Sequence, residues 1–223
     1  MSRTPATPTS PLRRQPLTRP RIVKAAIQLA DKNGIDALSM RRLASRLKVE
    51  AMSLYNHVAG KEDLLDAMLD AVIGEVELPV ANLAWQDWMR LRAHAMRAML
   101  LRHPWAPLLI VSRVNTGPSM LRLIDATLGC LLGAGFSPAL ADRAWNALDC
   151  HIYGFTLQEL LFPLKPDEYR AAAAAYVPTI PANTYPHFYR LSLMVAEGKH
   201  DGLQDFAFGL DFILKGLETV RPS

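Results

Sequence analysis

Cysteines, membrane-length apolar runs and export signals are scarce or missing in this sequence. It has two cysteines, Cys130 and Cys150, and therefore no disulfide framework. No run of about 18 uncharged apolar residues is long enough to cross a bilayer. Lys24 and Gln28 interrupt the first apolar segment, which excludes an export signal there. We therefore expect a soluble protein of the reduced cytoplasm, with both cysteines as small core residues.

Catalytic signatures are missing as well. Several histidines lie beyond the first third of the chain, but no glycine-rich phosphate loop, metal-spaced His/Cys cluster or nucleophile elbow accompanies them. These histidines are His94, His103, His151, His187 and His200. The pattern indicates that the protein is not an enzyme, and we predict no cofactor and no metal site.

Positive charge, in contrast, is concentrated at one end. Residues 1–62 contain twelve Lys and Arg against four Asp and Glu, a net charge of +8, which leaves −4 for the remainder. Phosphate neutralisation by Lys and Arg drives nucleic-acid association, so this polarity favours a DNA-facing N-terminal part. A solvated basic face followed by a basic tail would give the same distribution.

The first 60 residues contain a helix-turn-helix pattern. Apolar residues recur at helical spacing after Thr18, a predicted N-cap, and stop at Gly34. Two short helices follow, at Ser39–Leu47 and about Glu50–Val58, and neither is long enough to be stable alone. A very short turn joins them, which is typical of a helix-turn-helix. The second helix exposes a mixture suited to a major groove: Ala51, Met52, Ser53, Tyr55, Asn56 and His57.

The remaining pattern is helical throughout, so the predicted fold class is all-α. Residues 1–17 are rich in Pro, Thr, Ser and Arg and predict a disordered basic arm. Residues 18–75 form the predicted DNA-binding domain, in which three helices make the helix-turn-helix unit and a fourth follows. Residues 76–223 form a predicted helical bundle without convincing strands.

Three strings in the N-terminal domain resemble the tetracycline-repressor (TetR) family: SMRRLA from Ser39, VEAMSLYNHV from Val49 and KEDLLD from Lys61. Trp85–Asp87 and the closing Phe206–Leu210 and Gly216–Glu218 resemble the effector domain of that family. The resemblance implies a homodimeric repressor that binds a palindromic operator and is released by a small molecule. One departure is Lys48, which stands at a turn position where the family usually has glycine.

The resemblance also implies which residues contact DNA. Ser39 and Arg41 would do so from the second helix, and Lys61 would bind a phosphate at the start of the fourth. In the recognition helix the contacts fall on Ser53, Tyr55 and His57, with apolar base contacts from Ala51 and Met52. For Met52 and Asn56, ordinary solvent exposure is an equal alternative. Taken singly, Tyr55 packing on the first helix or a hydrogen-bonded His57 would be the ordinary interpretation, but the joint string favours DNA contact.

The C-terminal bundle is predicted to enclose an effector between its helices. The family's antibiotic–magnesium site cannot be placed here, because Arg92 and Met96 occupy aligned positions with different chemistry. We therefore hypothesise an aromatic or polyketide-like effector. Ordinary core packing is the alternative for each candidate lining residue: Arg92, Met96, Trp105, Arg113, Asn115, His151, Phe155, Gln158 and Glu159.

The last predicted helix, residues 202–220, carries two apolar faces, although a single domain needs only one. Together with the long helix 138–162, the resemblance to the family implies a four-helix dimer contact across a two-fold axis. The alternative is that both faces are covered within one chain. At the level of function, activation in place of repression and an effector-independent architectural DNA-binding protein remain open alternatives.

Overall fold

A computed structural model describes residues 16–80 and 82–221, and these residues form eleven α-helices and no strand. The predicted all-α class is confirmed. Residues 1–15 of the predicted basic arm lie outside the described residues. No helix in the described part is long and apolar enough to cross a membrane. Contacts divide the chain into one compact unit up to Met68 and a second from Leu69 onward, whereas the sequence placed the boundary at residue 75.

The first unit consists of three complete helices and the beginning of a fourth. The helices are α1 (Arg19–Asn33), α2 (Met40–Leu47), α3 (Ala51–Tyr55) and α4 (Lys61–Ile73). Helix α2 packs against both α1 and α3. The recognition helix is shorter than predicted, because only five residues of the Glu50–Val58 segment are helical. Glu50, at its N-cap position, makes no side-chain capping bond.

Helix α1 has the two ends that the sequence predicts. The Thr18 hydroxyl accepts a hydrogen bond from the Arg21 N–H at 3.4 Å, which satisfies one of the free amides of the first turn. At the other end, the Gly34 N–H donates to the Ala30 carbonyl at 2.8 Å, with Gly34 at a φ of 79°. Ile22, Ala26 and Ala30 are each at most 1 % exposed, so the helical stripe forms the core of the unit.

The turn between α2 and α3 is tight and left-handed. The Ser39 hydroxyl caps α2 by accepting from the Arg42 N–H, and Leu43 and Ala44 are buried on its inner face. Lys48 has φ 58° and ψ 45°, a conformation that usually favours glycine. The Val49 N–H then donates to the Ala44 carbonyl at 3.0 Å, closing the turn. Lys48 therefore adopts the left-handed conformation that glycine usually provides at this turn position.

The second unit is a helical bundle arranged around one long helix. After the end of α4, its helices are α5 (Trp85–Arg102), α6 (Ala106–Ser112), α7 (Pro118–Gly133), α8 (Pro138–Leu161), α9 (Tyr169–Tyr176), α10 (Pro186–Ala196) and α11 (Phe206–Val220). Helix α8 packs against α5, α6, α7 and α11, whereas α9 packs against α10. Pro118 and Pro138 begin α7 and α8 as predicted.

Two details of the second unit differ from the sequence prediction. Helix α11 starts at Phe206 and not near residue 202, because Asp205 caps it by accepting from the Phe208 N–H at 3.0 Å. Cys150 is exposed on α8 and is not a core residue. Cys130 is partly exposed on α7, and burial raises the pKa of its thiol. The core at this level is formed by larger side chains such as Leu148 and Ile152.

The left-handed lysine leads to a stability prediction. We expect Lys48→Gly to raise the free energy of unfolding by about 0.5 kcal/mol, since relief of left-handed strain exceeds the added freedom of the unfolded chain. Lys32→Gly, in the last turn of α1, should instead lower it by about 1 kcal/mol. Urea denaturation of both variants measures the two values. A destabilised Lys48→Gly would show that the lysine side chain contributes to the turn.

Candidate nucleic-acid interface and effector site

Helix α2 presents two of the predicted DNA contacts to solvent. Ser39 and Arg41 are both exposed, while Leu43 and Ala44 of the same helix are buried. The Arg41 guanidinium makes no hydrogen bond or ion pair with any described residue, so its donors are available to an external acceptor. Arg42, next to it, is used structurally and donates to the Ala37 carbonyl at 3.1 Å.

Helix α3 has one buried residue and a face of polar and apolar side chains that are exposed. Leu54 is completely buried, whereas Met52 is 74 % exposed and Tyr55 is 45 % exposed. Asn56 is exposed, while Ala51, Ser53 and His57 are half-buried. Lys61 is exposed at the first position of α4. The predicted contacts of α3 therefore flank a single inward-facing leucine.

An arginine that the sequence analysis did not identify holds the end of this motif. The Arg19 guanidinium donates to both carboxylate oxygens of Asp63 at 2.7 Å and to the His57 carbonyl at 3.0 Å. The Ala59 N–H also donates to Asp63 at 2.8 Å. These bonds tie the start of α1 to the α3–α4 connection, next to Lys61. No local pattern marks the pair, because its members are 44 residues apart.

The same contact changes the ionisation of both partners. The hydrogen bond from Arg19 and the one from the Ala59 amide lower the pKa of Asp63 to about 2. The hydrogen bond to Asp63 raises the pKa of Arg19. A carboxylate whose folded pKa lies below its ordinary value stabilises the fold at neutral pH, and this contribution is lost as acid protonates it.

The predicted effector residues fall into three places in the second unit. Arg92 and Met96 are buried in the bundle, and the Arg92 guanidinium donates to Asp149 at 2.7 Å. Trp105, Arg113 and Asn115 lie on or beside α6, where the Asn115 amide donates to the carbonyls of Ile110 and Arg113. The third group lies along α8: His151, Phe155, Gln158 and Glu159. The structure therefore does not bring all nine residues together.

Three of the four residues along α8 line a cavity of about 160 Å³. Phe155, Gln158 and Glu159 line it, together with residues that the sequence analysis did not select: Arg97, Phe162, Tyr169 and Phe206. Arg97 forms a two-pronged ion pair with Glu159 at 2.7 Å and lies over the ring of Phe206 at 5.2 Å. This arrangement combines aromatic surface with a neutralised charge pair.

His151 does not line the cavity, but it contacts Phe206, which does. Its ring stacks on Phe206 with centroids 5.0 Å apart, and its Nε2 lies 3.0 Å from the Phe206 carbonyl oxygen. Gly209 permits this approach, since a Cβ at that position would come 2.5 Å from the His151 ring. His151 therefore positions Phe206, a role that only contacts between α8 and α11 reveal.

Sequence comparison agrees with this architecture over most of the chain. Residues 22–68 match the family described as bacterial regulatory proteins, tetR family, and residues 78–221 match the tetracyclin repressor-like C-terminal domain. The chain belongs to the tetR family. It is accordingly a DNA-binding transcriptional repressor of that family with a ligand-binding C-terminal domain.

Three known proteins are similar to this tetR-family repressor over much of its length. An HTH-type transcriptional regulator of Saccharopolyspora erythraea is 42 % identical over 62 % of the chain, and the match spans 59 % of that protein. The HTH-type transcriptional repressor DrrR1 of Streptomyces coeruleorubidus is 31 % identical over 92 % of the chain and 78 % of its own length. The structure of Streptomyces coelicolor ActR in complex with actinorhodin has a TM-score of 0.80 at 30 % identity, covering 94 % of the chain and all of ActR.

The Arg19–Asp63 pair predicts that the stability of the first unit decreases in acid. We expect Asp63→Asn to lower the free energy of unfolding of the first unit above about pH 5, where the wild-type carboxylate is ionised in both states. The difference should shrink as the pH falls toward 2, because protonation removes the same interaction from the wild type. Thermal melting across this pH range measures it, with Asp36→Asn, an exposed acid of the same unit, as the control. A difference that persists unchanged at low pH would contradict the ionic origin.

Proposed function

We propose that this repressor binds a palindromic operator as a homodimer and releases it when a small molecule occupies the C-terminal domain. The DNA-binding half of this proposal rests on the exposed face of α3, which the buried Leu54 holds in place. Arg41 on α2 and Lys61 at the start of α4 are exposed as well. A helix that binds in the major groove needs a buried residue that fixes its position, and exposed polar or apolar side chains that contact the base edges.

Within that surface each side chain has a distinct proposed task. The five donors of Arg41 suit a two-pronged contact with guanine, and Lys61 suits a phosphate. Tyr55 and His57 fix the backbone register, which phosphate contacts do without reading sequence. Ala51, Met52, Ser53 and Asn56 contact base edges, and Ser39 contacts the backbone from the start of α2.

Dimer formation is supported by apolar surface on α8 and α11. Phe208 and Phe212 are 71 % and 74 % exposed, on the side of α11 away from the buried Leu210 and Leu214. Cys150 and Leu161 are also exposed on α8. Burying these side chains, which lie on two helices of each chain, would give a four-helix contact.

Effector release is supported by the aromatic cavity along α8. Phe155, Phe206 and Tyr169 provide flat apolar surface, while Arg97, Glu159 and Gln158 provide donors and acceptors at its edge. A planar aromatic molecule bearing oxygen atoms suits this lining. Because ActR is related to this chain and its structure holds actinorhodin, that compound is a suitable first probe. Five of the residues selected from the sequence do not line this cavity: Arg92, Met96, Trp105, Arg113 and Asn115.

Operator recognition is tested by selecting bound duplexes from a random pool and titrating the winner. We expect a symmetric sequence, and we expect Arg41→Ala to weaken the selected operator about tenfold while affecting unrelated DNA less. Lys61→Ala should weaken all duplexes similarly and make the dependence of log Kd on log salt shallower. Fluorescence anisotropy at several salt concentrations gives both quantities.

Lys32→Ala, which removes an exposed charge from the end of α1, is the matched control and should leave both quantities nearly unchanged. Selection of no symmetric duplex, or equal losses for Arg41→Ala on all sequences, would contradict the proposed recognition surface.

The effector proposal is tested by titrating actinorhodin into the protein–operator complex. We expect release of the operator, and at least a tenfold weaker response for Phe155→Ala, since the variant loses a stacking surface. Leu132→Ala, an exposed site on α7, serves as the control. If Phe155→Ala does not affect actinorhodin binding, the effector binds in another part of the bundle. If no aromatic ligand changes operator binding, the protein is an effector-independent repressor.

A further inference from the structure

The proposed effector cavity along α8, called here the first cavity, is small for its task. Its volume is about 160 Å³, whereas cavities that enclose a small-molecule ligand usually have about 300–1,000 Å³. A ligand of ordinary size therefore needs space beyond the part of the bundle that Phe155, Gln158 and Glu159 line.

A second cavity, lined by residues of α9 and α10, supplies such space. Its volume is about 360 Å³. Three residues line both cavities, so the two cavities share a wall: Phe162, Leu164 and Tyr169. The rings of Phe162 and Tyr169 stack there with their centroids 5.5 Å apart. Because Phe162 is 43 % exposed, its ring can rotate without disturbing the buried core, and a ligand can then extend from one cavity into the other.

The lining of the second cavity is more apolar than that of the first. The described residues that line it include no Arg, Lys, Asp or Glu, whereas the first cavity contains the Arg97–Glu159 ion pair. On α9 its wall is formed by two half-buried alanines, Ala172 and Ala173, which leave the cavity wide. On α10 the wall includes large apolar side chains that are still about half exposed, and an apolar ligand group would remove them from water.

One buried polar side chain in this cavity has no partner. Ser192, on α10, is 8 % exposed and lines the cavity, and its hydroxyl makes no hydrogen bond with any described residue. A buried hydroxyl without a partner costs stability, and such groups in folded proteins are nearly always satisfied. An oxygen atom on a ligand in the second cavity would provide the missing partner.

We propose that the effector is an elongated molecule of two parts that occupies both cavities. A flat, oxygen-bearing ring binds beside Phe155 in the first cavity, and an apolar extension fills the second cavity and carries one oxygen atom to Ser192. A compact polar aromatic molecule leaves the second cavity unfilled and Ser192 without a partner, and therefore binds more weakly. The second cavity thus selects effectors by the length and polarity of the extension.

This inference rests on the proposed function, because it assigns the ring of the effector to the first cavity. It is tested with synthetic probes: 2-naphthol, a flat ring with one oxygen atom, and 6-alkyl-2-naphthols with chains of one to six carbons. Their fluorescence changes on binding give Kd for the free full-length protein, so the measurement needs neither the operator nor the natural effector.

In the wild type we expect each added methylene to lower Kd about threefold, because the chain moves from water to an apolar wall. Ala173→Leu fills part of the second cavity and should reduce this gain to less than about 1.5-fold per methylene. The Kd of 2-naphthol itself should not change in this variant, which also shows that the variant is folded. Ala175→Leu is the matched control, since Ala175 is exposed on the same helix and does not line the cavity, and it should keep the threefold gain.

The polar end of the extension is tested with the same naphthols carrying a hydroxyl at the end of chains of four to eight carbons. At the chain length that binds the wild type best, Ser192→Ala should weaken the hydroxyl-ended ligand about fivefold, since it loses a hydrogen bond. The corresponding alkyl ligand should lose less than about twofold, because it makes no such bond. Equal losses for the two ligands would exclude Ser192 as the partner.

The remaining outcomes separate this inference from the proposed function. No gain per methylene in the wild type, or the same gain in Ala173→Leu, overturns the inference and leaves the first cavity as the effector site. A weaker dimer in sedimentation for Ala173→Leu, but not for Ala175→Leu, assigns the surface to a contact between two copies and overturns it as well. If Phe155→Ala changes the Kd of none of the naphthols, the first cavity is not the effector site and both proposals fail.

Discussion

A helix of five residues has no stability of its own in water, because the cost of forming its first turn is not repaid. Helix α3 exists only because its neighbours hold it: Leu54 is fully buried, and the turn at Lys48 fixes its start. Its end depends on Arg19, which binds the His57 carbonyl and Asp63 together. The position of the exposed groups of α3 therefore depends on its buried leucine and on the contacts at its two ends.

A comparable constraint operates in the second unit, where charge is buried between α5 and α8. Arg92 is 1 % exposed and donates to Asp149, which also accepts from the Trp145 indole at 2.7 Å and the Tyr153 hydroxyl at 3.1 Å. The Arg92 Nε–H has no hydrogen-bond partner among the described residues. A buried pair with an unsatisfied donor adds little net stability, but loss of either partner costs about 3–5 kcal/mol. The pair therefore fixes how α5 and α8 align more than it strengthens their packing.

What the sequence predicted, and what it did not, follows from the distance between interacting residues. Thr18, Ser39, Gly34 and the helix-starting prolines act within a few residues of their own position, so caps and most helix ends were predictable. The late start of α11 is a local exception, because the apolar Leu203 resembled a helical position while Gly202 adopts a φ of 73°. Contacts between distant parts of the chain left no periodic signal; they include Arg19–Asp63, Arg92–Asp149 and Asp70–Ser119.

The same reasoning limits what the net charge of the N-terminal segment means. Part of its positive charge is used inside the first unit, where Arg19 binds Asp63, Arg42 binds a carbonyl and Arg46 donates to Gln28 at 2.9 Å. These side chains shape the unit before any DNA is present. The charge that remains exposed includes Arg41 and Lys61, at the two ends of the motif. A surface that reads DNA sequence therefore differs from a merely basic one in where a rigid fold holds a few hydrogen-bond donors. Total charge matters less for this distinction.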